Sequence, residues 1–346
     1  MVCKILPLVL LVATLPLSPA QTAPDVAPFL SGSAPEFALV HVRVIDGTGA
    51  PAVENQTVVI SHGKIASIGP SASTKVPAGI PQQDCTGLSV IPGLVGMHDH
   101  LFHTGSIAHQ IDSAGHIAEP GLLSEGLGYS APRMYLAAGV TTLRTTGSVE
   151  PYTDLKLKDR IDRNLTPGPS MDVTAPYLEG APTQFAQMHE LTGVDDAKHM
   201  VDFWAQQGAT SFKAYMHITR AELGAAIQEA HSHKMKLTGH LCSVTWREAI
   251  ALGIDDLEHG PVFADTEFVA DKKPDACPAG RAGSNSWANR DINGADVQAL
   301  IHDLVIHHVA VTSTLPVFEL SVPGRPKLPQ RVLDALSPAA ARSYLT

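Results

Sequence analysis

The sequence predicts an α/β protein: a (β/α)8 TIM-type barrel, incomplete because strand eight is missing, with a small N-terminal β-sandwich portion. Three observations carry that reading. From residue 91 onward, short apolar strand-like stretches alternate with helical ones, the rhythm of a parallel sheet. Seven such strands can be read, where a closed barrel needs eight. Ahead of them, residues 37–90 alternate apolar and polar side chains and break at glycine-containing turns, as half-buried antiparallel strands do.

Taken in order, the first segment is "MVCKILPLVLLVATLPLSPAQ", with Lys4, an apolar run from Ile5 to Leu17, and small residues before Gln21. That is the pattern of a secretory signal cleaved after Ala20, so residues 1–20 are expected to be removed and the mature chain exported, periplasmic or secreted. The run is shorter than the roughly 20 apolar residues of a membrane span, so no stable span is expected after cleavage. Residues 21–36, rich in Pro, Ala and Ser, read as a flexible lead-in. In the β portion, 37–90, "SHGK" at 61–64 reads as a hairpin turn.

The barrel, 91–346, then runs through strands at 93–100, 140–147, 170–178, 210–216, 236–241, 255–260 and 309–315. Between them, Thr219 and Glu222 have the spacing of a capping box, Asp195 is a plausible N-cap, and Gly208 and Gly253 stand where helices should stop. The stretch 263–291, rich in Gly, Pro and Asn, reads as a mobile loop. After removal of the signal three cysteines remain; an odd count at wide spacing favours buried free thiols, with Cys242–Cys277 the one pairing weighed against that.

Composition narrows the partners. The 346 residues carry a formal charge of −10 and no Lys/Arg cluster, which argues against nucleic acid. A content of 44% hydrophobic and 17% charged residues is ordinary for a globular protein and leaves oligomerisation open.

The chemistry lies at strand ends, because functional side chains of a barrel sit at the C-terminal ends of its strands. "GLVGMHDHLFH" places His98 and His100 on one side of a strand, since alternate residues point the same way, and His103 shortly after. Lys213, His240 and His259 end later strands. A single strand-end histidine is usually a satisfied structural group, but four at strand ends of one barrel form a metal-ligand set. His231, His233, His302, His307 and His308 lie late in helices, where a solvated or dipole-compensating role is expected. Tyr215, two residues after Lys213, is a candidate oxyanion donor, with barrel packing as the alternative. Arg144 is a candidate for holding a substrate carboxylate, with an internal ion pair the favoured reading.

The segments "VIPGLVGMHDHLFH", "TSFKAYM", "LTGHL" and "LEHG", in that order, resemble the amidohydrolase superfamily, in particular its imidazolonepropionase-like and prolidase-like branch. The resemblance spans residues 37–320. It implies two divalent metal ions, His98 and His100 on the first, His240 and His259 on the second, with an N-carboxylated Lys213 formed with CO2 bridging both. A buried lysine beside dications loses its proton and can then add CO2. Imidazole and carboxylate-type donors with open positions favour Zn²⁺, with Mn²⁺, Fe²⁺ or Co²⁺ as alternatives. The implied reaction is hydrolysis of a C–N bond in an amide, dipeptide or lactam by a metal-bridging hydroxide. The family's strand-eight aspartate has no counterpart here, so the chain is expected to be a truncated member. A lactonase or phosphotriesterase-like hydrolase, or a non-catalytic metal-binding remnant, are the competing readings.

Overall fold

The computed structural model describes residues 34–101, 108–111, 117–123, 131–183, 185–280, 282–288, 290–319, 322–324, 326–335 and 341. The expected signal segment, most of the lead-in and His103 lie outside them.

The first sheet contains β1 (Glu36–Val44), β2 (Val53–Ser61), β3 (Lys64–Pro70), β4 (Gln82–Asp84) and β5 (Ser89–Val90). Strands β1–β2 and β2–β3 pair antiparallel, and the expected turn between β2 and β3 is present: His62 and Gly63 have φ of 49° and 74°, as a two-residue hairpin with the twist of its strands requires. The sheet is nevertheless mixed rather than antiparallel throughout, because β4 and β5 run parallel to β1. The physical reason is the excursion over residues 71–81, which returns the chain to the starting end before it pairs again. Val42, Val58 and Cys85 form the buried face, so Cys85 is a buried free thiol.

The second sheet has seven parallel strands in the order β14-β13-β12-β11-β10-β9-β6: β6 (Leu94–Asp99), β9 (Val140–Thr145), β10 (Ser170–Leu178), β11 (Ser211–Ala214), β12 (Lys236–Gly239), β13 (Asp256–His259) and β14 (Ala310–Ser313). These are the seven strands read in the sequence, most of them trimmed by one or two residues at an end, and they make the expected incomplete (β/α)8 barrel. β14 comes back near β6, and among the described residues the two are not hydrogen-bonded to each other. Leu94, Val95 and Met97 on β6 and Val311 on β14 are consequently exposed. A two-stranded antiparallel pair, β7 (Ala108–Ile111) and β8 (Ile117–Leu123), follows β6 and was not expected.

Helices α1 (Ala131–Ala137), α2 (Pro151–Asp162), α3 (Val194–Gln207), α4 (Arg220–Ser232), α5 (Trp246–Leu252) and α8 (Ala295–Ile306) connect successive strands. Shorter helices α6 (Pro261–Ala264), α7 (Ala282–Trp287), α9 (Leu315–Glu319) and α10 (Gln330–Ala335) lie between β13 and α8 or after β14. The capping box at Thr219 and Glu222 is formed, and a second one stands at Thr245 and Glu248 before α5. Gly208 and Gly253 take left-handed φ of 102° and 92° and end α3 and α5. Asp195 is not the N-cap of α3. The helix starts at Val194 after Gly193, which leaves Asp195 in the first turn, where its charge meets the helix dipole. The main core joins β10–β13 to α3–α5 through side chains such as Phe212, Leu237, Leu257, Val201, Ile227 and Trp246, all nearly inaccessible.

The stretch at 263–291 is not a loose loop. Cys242 and Cys277 are disulfide-bonded across 4.9 Å between their Cα atoms, which overturns the expectation of free thiols at these two positions. Arg220 grips Asp275 through Nε and Nη2 at 3.0 and 3.1 Å, and Lys272 Nζ donates to the Ser243 carbonyl at 2.5 Å. Wide sequence spacing says little about pairing here, because the barrel places the turn after β12 beside the insertion.

Candidate metal centre at the strand ends

Four of the barrel strands deliver the expected histidines and lysine to one place. His98 and His100 come from the end of β6, Lys213 from β11, His240 from just past β12 and His259 from the end of β13. Ring centres are 5.1 Å apart for His98 and His100, 4.4 Å for His98 and His259, and 4.3 Å for His240 and His259. All five residues, with Asp99, Tyr177 and Tyr215, line one cavity of about 510 Å³.

Surrounding groups set the tautomers. His98 Nδ1 hydrogen-bonds Glu258 Oε2 at 2.6 Å, and His100 Nδ1 hydrogen-bonds the Gly147 carbonyl at 3.3 Å. Since a carboxylate and a carbonyl only accept, Nδ1 carries a proton in both rings. His259 Nδ1 is engaged by Thr314 Oγ1 at 2.8 Å. Metal-binding imidazoles are oriented by partners of this kind. Burial pushes the His259 imidazolium down to about 3, helped by the charges of Lys213 and His98. Burial, then His259, holds His240 well below the ordinary histidine value. Both rings are therefore neutral at physiological pH, as ligands must be.

Lys213 is 1% exposed, and its Nζ makes no hydrogen bond among the described residues. Its nearest charge is Glu258 Oε1 at 3.7 Å, an oxygen already bonded by Arg144 at 2.8 Å and Thr238 at 2.6 Å. Burial lowers its ammonium to about 8, so the free amine is accessible near neutral pH. The donor set, four imidazoles around a buried and unsatisfied lysine amine, fits a pair of divalent ions joined through a modified lysine.

Tyr215 is buried, with its ring 5.0 Å from His240 and 4.6 Å from Tyr177, and burial pushes its phenol upward, so the hydroxyl stays protonated. Arg144 is placed elsewhere. Its guanidinium bonds the Met97 carbonyl at 2.8 Å, Asp256 at 3.1 Å and Glu258 at 2.8 Å, and it does not line the cavity. This is the internal ion pair that the sequence favoured for Arg144 over a substrate clamp. Its fork is taken by two internal carboxylates.

Sequence reasoning missed Glu258, which is fully buried and touches His98, Arg144 and Thr238. Strand alternation assigns Glu258 and His259 to opposite faces. His259 has a left-handed φ of 67°, which breaks the alternation and lets both neighbours serve the centre. The signal was the position itself, immediately before the histidine in "LEHG". Tyr177 was missed as well. It stands at the end of β10 with its hydroxyl 3.5 Å from His100 Nδ1, and Gly147, at φ 86°, has no room for a Cβ beside that ring. Among the helix-borne histidines, His302, His307 and His308 are exposed as expected. His231 is exposed too and pairs with Asp255 at 3.0 Å, whereas His233 is half-buried and pairs with Asp202 at 2.6 Å.

No family model matches the sequence, and no curated protein matches it. Solved structures do. A "putative prolidase" from Bifidobacterium longum superposes with a TM-score of 0.52 at 25% identity, over 65% of this chain and 54% of that one. A Xaa-Pro dipeptidase with methionine bound in its active site gives 0.52 at 17% identity, over 81% and 79% of the two chains. Phenylurea hydrolase B gives 0.57 at 18% identity, over 80% and 64%. This chain thus spans about half the length of the first of these relatives, 54% of it.

Proposed function

This chain has the fold of the amidohydrolase superfamily, and from that premise we propose that it belongs to a binuclear metal-dependent hydrolase of C–N bonds in small amides, lactams or dipeptides. The observation that carries the reading is the convergence of His98, His100, His240 and His259 on the buried, unsatisfied Lys213 amine. His98 and His100 would hold one divalent ion, His240 and His259 a second, and an N-carboxylated Lys213 would bridge them, with Zn²⁺ the ion that best suits the donors. Such a pair, when bound, polarises a carbonyl and lets water attack it near neutral pH.

The protein's own groups do the rest. Glu258 and Gly147 fix the tautomers of His98 and His100, and Thr314 orients His259. Tyr215, protonated and facing the cavity, is placed to donate to the oxyanion that develops on the scissile carbonyl. The structural disulfide favours an oxidising compartment, in keeping with the export expected from residues 1–20.

Elemental analysis tests the reading. His98→Ala and His259→Ala should each lose bound metal, whereas the exposed His307→Ala should lose none. Lys213→Ala should lose metal and hydrolysis of a dipeptide and lactam panel together, with part of both restored by added short carboxylates. Unchanged metal in both histidine variants would make these histidines structural. An unmodified ammonium at Lys213 in the metal-loaded protein would refute the bridge.

A further inference from the structure

One group of ligand-type side chains plays no part in the centre described above. Asp202 of α3 and Glu229 of α4, with His233 at the C-cap of α4, each bring one ligand atom within 4.8 Å of the other two. His233 Nε2 lies 2.6 Å from Asp202 Oδ1 and 3.9 Å from Glu229 Oε1. All three residues are half-buried. Their place is the far end of the barrel: the C-terminal ends of α3 and α4 lead into the starts of β11 and β12, whereas the histidine centre sits at the strands' C-terminal ends.

We propose that Asp202, Glu229 and His233 form a separate transition-metal site that ties α3 to α4. Glu229 and His233 are four residues apart on one helical face, the spacing that lets two side chains chelate a single ion, and Asp202 closes the site from the neighbouring helix. An ion holding nitrogen and oxygen at about 2.0–2.2 Å in tetrahedral geometry spaces its ligand atoms about 3.4 Å apart. The two separations from His233, 2.6 and 3.9 Å, bracket that value, and the two carboxylates lie within 4.8 Å of each other. The Ser232 hydroxyl donates chiefly to the Glu229 carbonyl at 2.7 Å and lies 3.2 Å from Glu229 Oε1. The backbones beneath are held by buried Val201 of α3 and Ile227 and Ala230 of α4, which belong to the main core.

The donor set selects the ion. Two carboxylates and one imidazole balance a dication, and the mixed nitrogen and oxygen donors suit Zn²⁺ or Co²⁺. Calcium and magnesium take oxygen ligands, so the imidazole nitrogen disfavours both. Water completes the coordination. Bound only by the folded chain, the ion stabilises it by mass action.

The test uses the full chain and Zn²⁺ alone, with equilibrium dialysis and elemental analysis of the parent, His233→Ala and Glu229→Gln, and unfolding temperatures with and without zinc. Each variant is expected to bind one zinc fewer than the parent, its affinity at this site lowered at least tenfold, and to lose the zinc-dependent rise in unfolding temperature. His189→Ala, which removes a surface partner of Asp196, should behave as the parent. In a His98→Ala, His240→Ala background the α3–α4 zinc should persist, which separates this site from the histidine centre. Equal zinc uptake by the parent and by either variant, with circular dichroism confirming the fold, would overturn the proposal. Glu229→Gln keeps the side-chain volume, so it decides the matter even if His233→Ala fails to fold.

Discussion

Replacing Arg144 by Met isolates the electrostatic strut beneath the histidine–lysine cluster. The guanidinium is 13% exposed and bonds Asp256, 11% exposed, and Glu258, 0% exposed, from inside the barrel. Methionine fills similar volume but takes the guanidinium away from two buried carboxylates. Breaking a buried pair by removing one partner costs about 3–5 kcal/mol, and two stranded acids place this case toward the upper end. The cost should depend on pH. The Asp256 carboxyl already lies above its ordinary value, through burial first and repulsion from Glu258 second, with Arg144 opposing both. A carboxyl raised in the folded state holds its proton there over a pH range in which the unfolded chain has lost it. Stability is therefore greater at the acid end of that range and falls as pH rises through it. Without Arg144 the range widens upward, so the substitution should cost more at pH 8 than at pH 5. Urea unfolding followed by circular dichroism at both pH values measures this. Adding Glu258→Gln to Arg144→Met should recover a substantial part of the loss, because one stranded charge is gone. A cost under about 1 kcal/mol at pH 8, or one that does not change with pH, would refute the account, since removing a partner from a buried pair should cost several times that.

Two further outcomes follow from groups outside the centre. Cys242→Ser with Cys277→Ser should cost about 4 kcal/mol by the loop-entropy relation for a separation of 35 residues, read as a lower unfolding temperature that reductant reproduces in the parent. Burial raises Asp154 and Asp265 to about 7, so both favour the folded state below that pH and lose this contribution as pH rises from about 4 to 7. Asp154→Asn should flatten that part of the stability profile in thermal melts from pH 5 to 8, and an unchanged slope would mean that Asp154 is ionised throughout.

The sequence by itself determined the local pieces and the ligand types. Strand and helix periodicity, the Thr219 capping box and the His62–Gly63 turn are short-range features, set by residues a few positions apart, so they could be read in place. The His98–His100 pair was legible for the same reason: alternation along one strand decides that both point inward. Contacts between distant segments were decided only by the tertiary structure. Glu258 joined the centre through a left-handed residue that no periodicity announces, and Arg144 was claimed by carboxylates 112 and 114 positions away. The Cys242–Cys277 bond, and the meeting of Asp202 with His233, depend on which turn and which helix the closing barrel sets side by side. Sequence spacing carries no information about such pairs, because their distance is fixed by strand register and helix packing around the barrel rather than by the length of chain between them.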